Sequence, residues 1–214
     1  MSPSHHPSEH LLVEHAAGRL APGQDLVVAA HVANCETCRA EVRLGETVGG
    51  ALLDTLLPET MAPDALARAL ARIERPVPAA PSVSVRVTPA DWIGFSSPAV
   101  DAAWRRRRWA APGVWVAPVI RGPGRARTYL LRVAAGMAVP YHRHDGHELV
   151  AVLKGAYDDR GDLHRPGDFA DNDDAVEHRP TVTREGECVC LISADAPLIA
   201  LDWVGKVFQP FVRI

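Results

Sequence analysis

From Glu9 to Leu20 apolar residues recur three and four positions apart, and the same spacing returns from about Gln24 to near Leu57. Residues so spaced fall on one side of a helix of about 3.6 residues per turn, so both stretches are predicted helices. Pro22 and Gly23 punctuate the gap between them, and Asn34, just before Cys35, marks a break or cap where the second stretch divides. A further helix, APDALARALARIE, carries Pro63 in its first turn and is stopped by Pro76 after Arg75. The first third of the chain therefore reads as three or four short helices.

Past residue 90 the texture changes. Short β-rich runs, VWVAPVIRG, TYLLRVA, ELVAVLKG, CVCLISA and LIALDWV, are separated by turn residues, as in a sandwich or barrel. Between the two textures, Pro76 to Pro89 holds four prolines without apolar periodicity and reads as a semi-extended linker. The predicted fold class is multi-domain, α plus β. It comprises a helical domain over residues 1–75, a linker over 76–89 and a β-barrel domain over 90–214. At 214 residues the chain can afford two cores, since domains commonly run to roughly 100–150 residues.

Composition narrows the setting. The chain is 47% hydrophobic and 23% charged, and no run approaches the ~18 apolar residues of a membrane span. The start, MSPSHHPSEHLL, lacks a basic segment followed by an apolar one, so no secretory signal is expected. The expected location is the cytoplasm, where the four cysteines stay reduced and a close pair binds metal or reports redox state rather than forming a structural disulfide. Charge is uneven: residues 1–75 hold six Arg and Lys against ten Asp and Glu, while residues 76–214 hold 17 against 16. An acidic helical part argues against nucleic acid as its direct partner and suits a basic protein surface.

Two constellations carry chemistry. His31, Cys35 and Cys38 form HxxxCxxC. On a helix the i, i+4 step shares a face and the following i+3 step stays near it, so one imidazole and two thiolates can converge on a tetrahedral ion. A structural zinc site needs a fourth ligand, and His5, His6, His10 and His15 are the upstream candidates. The competing reading, a redox CxxC, expects the motif at a helix start after a strand, a context missing here. Zinc can contribute ~10–16 kcal/mol of apparent binding energy to a small metal-folded domain, so loss of a cysteine should unfold this one.

The second constellation lies in GMAVPYHRHDGHELVAVLKG, residues 136–155. His142 and His144 alternate on a strand and face one side, and Glu148 follows after a turn that Asp145 and Gly146 permit. His178 supplies the fourth ligand from a neighbouring strand. Such a nitrogen and oxygen set suits zinc or another divalent transition metal. His147 and His164 lie outside the ligand pattern and read as surface residues. The run Arg105 to Arg108, between Trp104 and Trp109, reads as a solvated strand face. Cys188 and Cys190 share one face of a strand, either as buried small hydrophobes or as a redox-responsive pair, the second requiring exposure and lowered thiol pKa values.

These motifs carry three resemblances. HxxxCxxC in a short acidic helical domain, with a histidine near the chain start, resembles the zinc-binding anti-sigma domain of bacterial regulators, which blocks an extracytoplasmic-function sigma factor. That resemblance implies His6 as the upstream ligand, with His5 as the alternative. Gly136, His142, His144, Glu148 and Gly155 match the first cupin motif in full. The second motif keeps His178 but has Asp173 and Ala175 where the family has Pro and Gly, which bears on the local turn. Together, and in this order, the two domains resemble the ChrR family of anti-sigma factors. The resemblance implies sequestration of the sigma factor by the N-terminal domain, with release by the metal-binding cupin domain on singlet oxygen or organic peroxide. The alternative is a cupin metalloenzyme, dioxygenase-like, with an accessory helical domain; fold alone does not decide between them.

Overall fold

The computed structural model describes residues 2–75, 92–95 and 97–201. The predicted linker, 76–89, lies outside the described residues, as does the end of the run LIALDWV. Five helices are described: α1 (Glu9–Ala16), α2 (Pro22–Val32), α3 (Glu36–Asp54), α4 (Ala65–Ile73) and α5 (Pro98–Arg105). The Ser8 hydroxyl caps α1 by accepting from Leu11 N–H at 3.3 Å. The long second stretch divides where expected, though Cys35 rather than Asn34 takes the N-cap position of α3, and Asn34 Nδ2 donates back to the Ala30 carbonyl at 2.9 Å.

Pro22 and Gly23 do not separate two helices. They open α2, where proline's fixed φ and missing N–H fit the first turn. Gly23 has a further reason to be glycine: a Cβ there would lie 2.0 Å from Thr128 Oγ1 and 3.0 Å from Ser193 Oγ. The start of α2 therefore touches the β-sheet backbone-close. Helix α5 was not expected. Ser97 caps it by accepting from Val100 N–H at 3.2 Å, and Arg105 ends it. Of the four arginines only Arg108 begins a strand; the Arg107 guanidinium lies 4.5 Å over the Trp104 ring.

Twelve strands follow: β1 (Arg108–Ala111), β2 (Val114–Arg121), β3 (Arg127–Val133), β4 (His142–Arg143), β5 (Glu148–Lys154), β6 (Tyr157–Asp159), β7 (Asp162–His164), β8 (Phe169–Asn172), β9 (Glu177–His178), β10 (Thr181–Val182), β11 (Cys188–Ala194) and β12 (Ile199–Ala200). They pair antiparallel in a six-stranded sheet of order β1-β2-β3-β11-β5-β8 and two three-stranded sheets, β10-β6-β7 and β12-β4-β9.

Both faces of the central strands are covered, which explains why ELVAVLK and CVCLISA read as nearly unbroken apolar runs. Successive strand side chains point to opposite faces. Leu149, Ala151, Leu153, Val189 and Leu191 point outward into a core shared with Leu12, Val27, Val28 and Ala30 of the helices and with Trp92 and Val100. Val150, Val152, Cys188, Cys190 and Ile192 point inward with Tyr129, Leu131 and Val133. The helical part thus does not keep a core of its own: α2 lies on the outer face of the barrel. Helix α4 buries nothing, and no described helix is long and apolar enough to cross a membrane.

Candidate metal centres

The break between α2 and α3 brings HxxxCxxC to a point. His31, in the last turn of α2, is fully buried, and Cys35 and Cys38 flank the start of α3. The N-terminal segment delivers His6, whose Nδ1 lies 3.4 Å from Cys35 Sγ and 3.3 Å from Cys38 Sγ, while His31 Nε2 lies 3.3 Å from Cys38 Sγ. His31 Nδ1–H donates to the Gly167 carbonyl at 2.7 Å, so the nitrogen facing the thiols is the one with the lone pair. His5 points elsewhere, toward Asp162 and Asp168; His15 pairs with Asp25 at 2.6 Å; His10 stays outside the cluster. Burial, then Cys35, pushes the Cys38 thiol up to about 12, and burial lowers the His31 pKa. Two thiols and two imidazoles brought this close fit a divalent ion, which deprotonates a coordinating thiol outright.

The second cluster is built on sheet register. His142 faces His178 across the β4–β9 pair, and Glu148 begins β5. His178 Nε2 stands 3.0 Å from His144 Nε2 and 3.1 Å from His142 Nε2, and Glu148 Oε2 is 3.6 Å from His144 Nε2. All four side chains are buried. His142 Nδ1–H donates to the Pro140 carbonyl at 2.7 Å, and His178 Nδ1–H donates to Asp159 Oδ2 at 2.9 Å. Their Nε2 lone pairs then point at each other, an arrangement that repels unless a cation lies between. Burial, then His142 and His178, drives the His144 pKa down to about 3, while burial raises Glu148 to about 7. Both shifts are the cost of holding these groups in low dielectric, and a bound divalent ion offsets both.

The turn that departs from the cupin pattern closes by other means. Asp173 Oδ1 accepts from Ala175 N–H at 3.0 Å, an Asx turn standing where Pro and Gly would make one. Above the cluster the barrel interior is a cavity of about 600 Å³, walled mainly by apolar side chains such as Val114, Leu131, Met137 and Val182. Cys188 and Cys190 form part of that wall, Sγ to Sγ 3.7 Å. Both are buried, and the Cys188 contact with burial raises the Cys190 thiol, so the exposure that a redox-responsive pair requires is missing and the Cys190 shift runs the wrong way for one.

Sequence reasoning missed the residues that hold the ligands. Tyr129 Oη donates to Glu148 Oε1 at 3.4 Å, Asn172 Nδ2 donates to Glu148 Oε2 at 3.5 Å, and Asp159 orients His178. None of them sits at motif spacing; only strand pairing brings Asn172 opposite Glu148. His147 is exposed and pairs with Asp171, as expected. His164 is not the surface residue it was taken for: at 8% exposure it lies between the rings of Tyr157 and His5, because β7 turns it inward.

Comparison with known proteins meets this geometry at both ends. A family model described as the ChrR cupin-like domain matches residues 99–196. The anti-sigma-E factor ChrR of Cereibacter sphaeroides is 37% identical over 218 residues, spanning 100% of both chains. A chain in the crystal structure of Rhodobacter sphaeroides SigE in complex with the anti-sigma ChrR is similar at 33% identity and a TM-score of 0.75, over 91% of this chain and 100% of that one. Similarity of this extent takes in the helices, both ligand clusters and the barrel alike: the chain belongs to the ChrR family of anti-sigma factors.

Proposed function

We propose that the chain holds an extracytoplasmic-function sigma factor inactive through its N-terminal helices. It releases that factor when an oxidative signal, singlet oxygen or an organic peroxide, acts on the metal-bearing barrel. The observation that carries the first half is an apolar face left exposed among the described residues. Leu44, Val48 and Leu52 recur every fourth residue along α3 and are 53–66% exposed. Leu66, Leu70 and Ile73 form the matching stripe on α4, at 51–78%. Contiguous exposed apolar surface of this kind marks a protein interface, and helix faces with such spacing are a standard way to fill one. The relative in the solved complex is bound to a sigma factor, which names the class of partner.

In this reading the His6, His31, Cys35 and Cys38 cluster takes zinc, whose tetrahedral preference suits two thiolates and two imidazoles. The ion fixes the angle between α2 and α3 and so aims the apolar stripe. The His142, His144, Glu148 and His178 cluster takes zinc or another divalent transition metal. His142, His144 and His178 present neutral nitrogens to it, and Tyr129 and Asn172 fix the carboxylate of Glu148. A reactive small molecule reaches that ion through the apolar cavity, past Cys188 and Cys190. The same cavity would serve a metalloenzyme, and the full-length match to an anti-sigma factor favours the regulator.

Co-purification with extracytoplasmic-function sigma factors of the source genome tests the assignment. Leu52→Asp together with Leu70→Asp, both on exposed positions, is expected to abolish capture without unfolding the chain. His142→Ala should still capture the sigma factor and lose peroxide-dependent release. Undiminished capture by the double variant would sink the reading.

A further inference from the structure

A third side-chain cluster lies between the two already described, and neither of them uses it. His5, Asp162 and His164 each offer a ligand atom within 4.8 Å of the others. Its geometry begins in the β6–β7 hairpin. Arg160 and Gly161, with φ of 57° and 87°, make a two-residue turn whose positive φ values match the right-handed strand twist. Asp162 and His164 are two apart on β7 and so share a face. The N-terminal segment is anchored beside that face. Ser4 N–H and His5 N–H donate to the buried Asp168 carboxylate at 2.6 and 3.1 Å, and Phe169 N–H donates to the His5 carbonyl at 3.1 Å.

The His5 ring is held at both nitrogens. Nδ1 lies 3.1 Å from Ser4 Oγ and 3.3 Å from Asp168 Oδ2, and Nε2 lies 3.0 Å from each Asp162 oxygen. With its proton on the Nδ1 side, the ring turns a lone pair toward the Asp162 carboxylate, an arrangement that a cation between them satisfies. His164 adds an independent sign. It is 8% exposed, and its buried Nδ1 has no hydrogen-bond partner. Burial, then His5, lowers its pKa, which leaves the ring neutral and able to donate a lone pair. Beside it opens a polar recess of about 270 Å³ lined by Asp159, Asp162, His164 and Asp171, among others, with room for an ion and its water.

We propose that His5, Asp162 and His164 form a third metal site, binding one divalent transition-metal ion through two imidazoles and a carboxylate, with water completing the shell. Asp168 serves as the outer partner that sets the His5 tautomer. The location gives such an ion a task. His5 adjoins His6 of the first cluster, and Asp159, paired with Asp162 across the hairpin, holds His178 of the second. An ion here staples the segment that delivers His6 to the hairpin that supports His178.

The test is the number of ions bound per chain by the full-length protein in equilibrium dialysis against micromolar zinc, repeated with cobalt for its spectrum. The wild type is expected to hold three. Asp162→Asn, at a largely exposed position, and His5→Gln are each expected to hold two, with thiolate-to-cobalt charge transfer unchanged. Loss of a direct ligand should weaken this site by more than the ~10–100-fold typical of an outer partner. Equal counts in wild type and Asp162→Asn would overturn the site in favour of a His5 ring held by hydrogen bonds alone between Asp162 and Asp168. Loss of the charge-transfer band in Asp162→Asn would overturn it too, since the residue would then act through the first cluster. The count does not depend on sigma-factor binding, so it stands or falls apart from the proposed function.

Discussion

His6, His31, Cys35 and Cys38 come from an N-terminal segment, the end of α2 and the start of α3, three pieces that no β-sheet register aligns. His142, His144, Glu148 and His178 stand instead on strands and turns that backbone hydrogen bonds already place. A metal ion would therefore have different work in the two places. In the first, only Leu12 of α1 and Cys38 and Val42 of α3 are buried, so packing alone holds these helices weakly. An ion bound there, worth ~10–16 kcal/mol in small zinc-folded peptides, would decide whether they are placed at all. In the second, the sheet is held by its own hydrogen bonds, and an ion would relieve a congestion of buried nitrogens and one carboxylate. A site that builds its fold suits a binding surface, and a site lodged in a finished scaffold suits a sensor, because it can change without collapse.

The largest expected effect breaks that contrast if it is wrong. Cys35→Ser should remove amide-exchange protection from α1 and α3 while the six-stranded sheet keeps its own. Glu148→Ala should leave protection in the helices and the sheet alike. Helix α2 is the informative element, since Val27, Val28 and Ala30 are held by the barrel and not by the ion. It should stay protected in both variants.

A smaller effect sharpens the comparison from the other side. Gly23→Ala places a methyl against the Thr128 hydroxyl, a stiff β-branched neighbour in the sheet, and should cost about 1–3 kcal/mol in denaturant titration. Neither ligand cluster is touched, so zinc content should not change. The smallest effect belongs to the barrel alone. Arg132 on β3 and Lys154 on β5, the strands on either side of β11, pair with Glu187, Lys154 at 3.2 Å, and against the opposing effect of burial hold its carboxyl below the ordinary value of 4.5. A depressed carboxyl contributes stability above its unfolded value, and the contribution fades as pH falls through the folded one. Glu187→Gln should therefore cost about 1 kcal/mol at pH near 7, and the difference from wild type should shrink toward zero in acid.

Most of each candidate cluster was legible in the sequence because it is short-range: HxxxCxxC spans one helical break, and HxH stands just before Glu148, whereas His6 and His178 come from farther along the chain. His6 over His5 was legible only through family resemblance; in the structure the choice follows from Asp168 gripping the backbone of residues 4 and 5, which leaves His6 next in line for the thiols. What could not be read was long-range. Gly23 looks like punctuation until Thr128 is seen beside it, and the apolar runs of β5 and β11 do not say that α2 is what covers their outer face. His164 failed for the same reason. Outside a motif a histidine reads as surface, and only the inward turn of β7 and the stacking on Tyr157 make it a core residue. Asp159 and Asn172 support ligands across strand pairs and carry no local signal at all.

The central claim is that a metal-organised helical surface, and not the barrel, restrains the sigma factor. Its most direct test is transcription in vitro by RNA polymerase with the extracytoplasmic-function sigma factor that the chain captures, titrated with full-length chain. Wild type and Glu148→Ala are predicted to suppress transcription at equal stoichiometry, and Cys35→Ser to leave it unaffected. Full suppression by Cys35→Ser, or its loss in Glu148→Ala, would contradict the account.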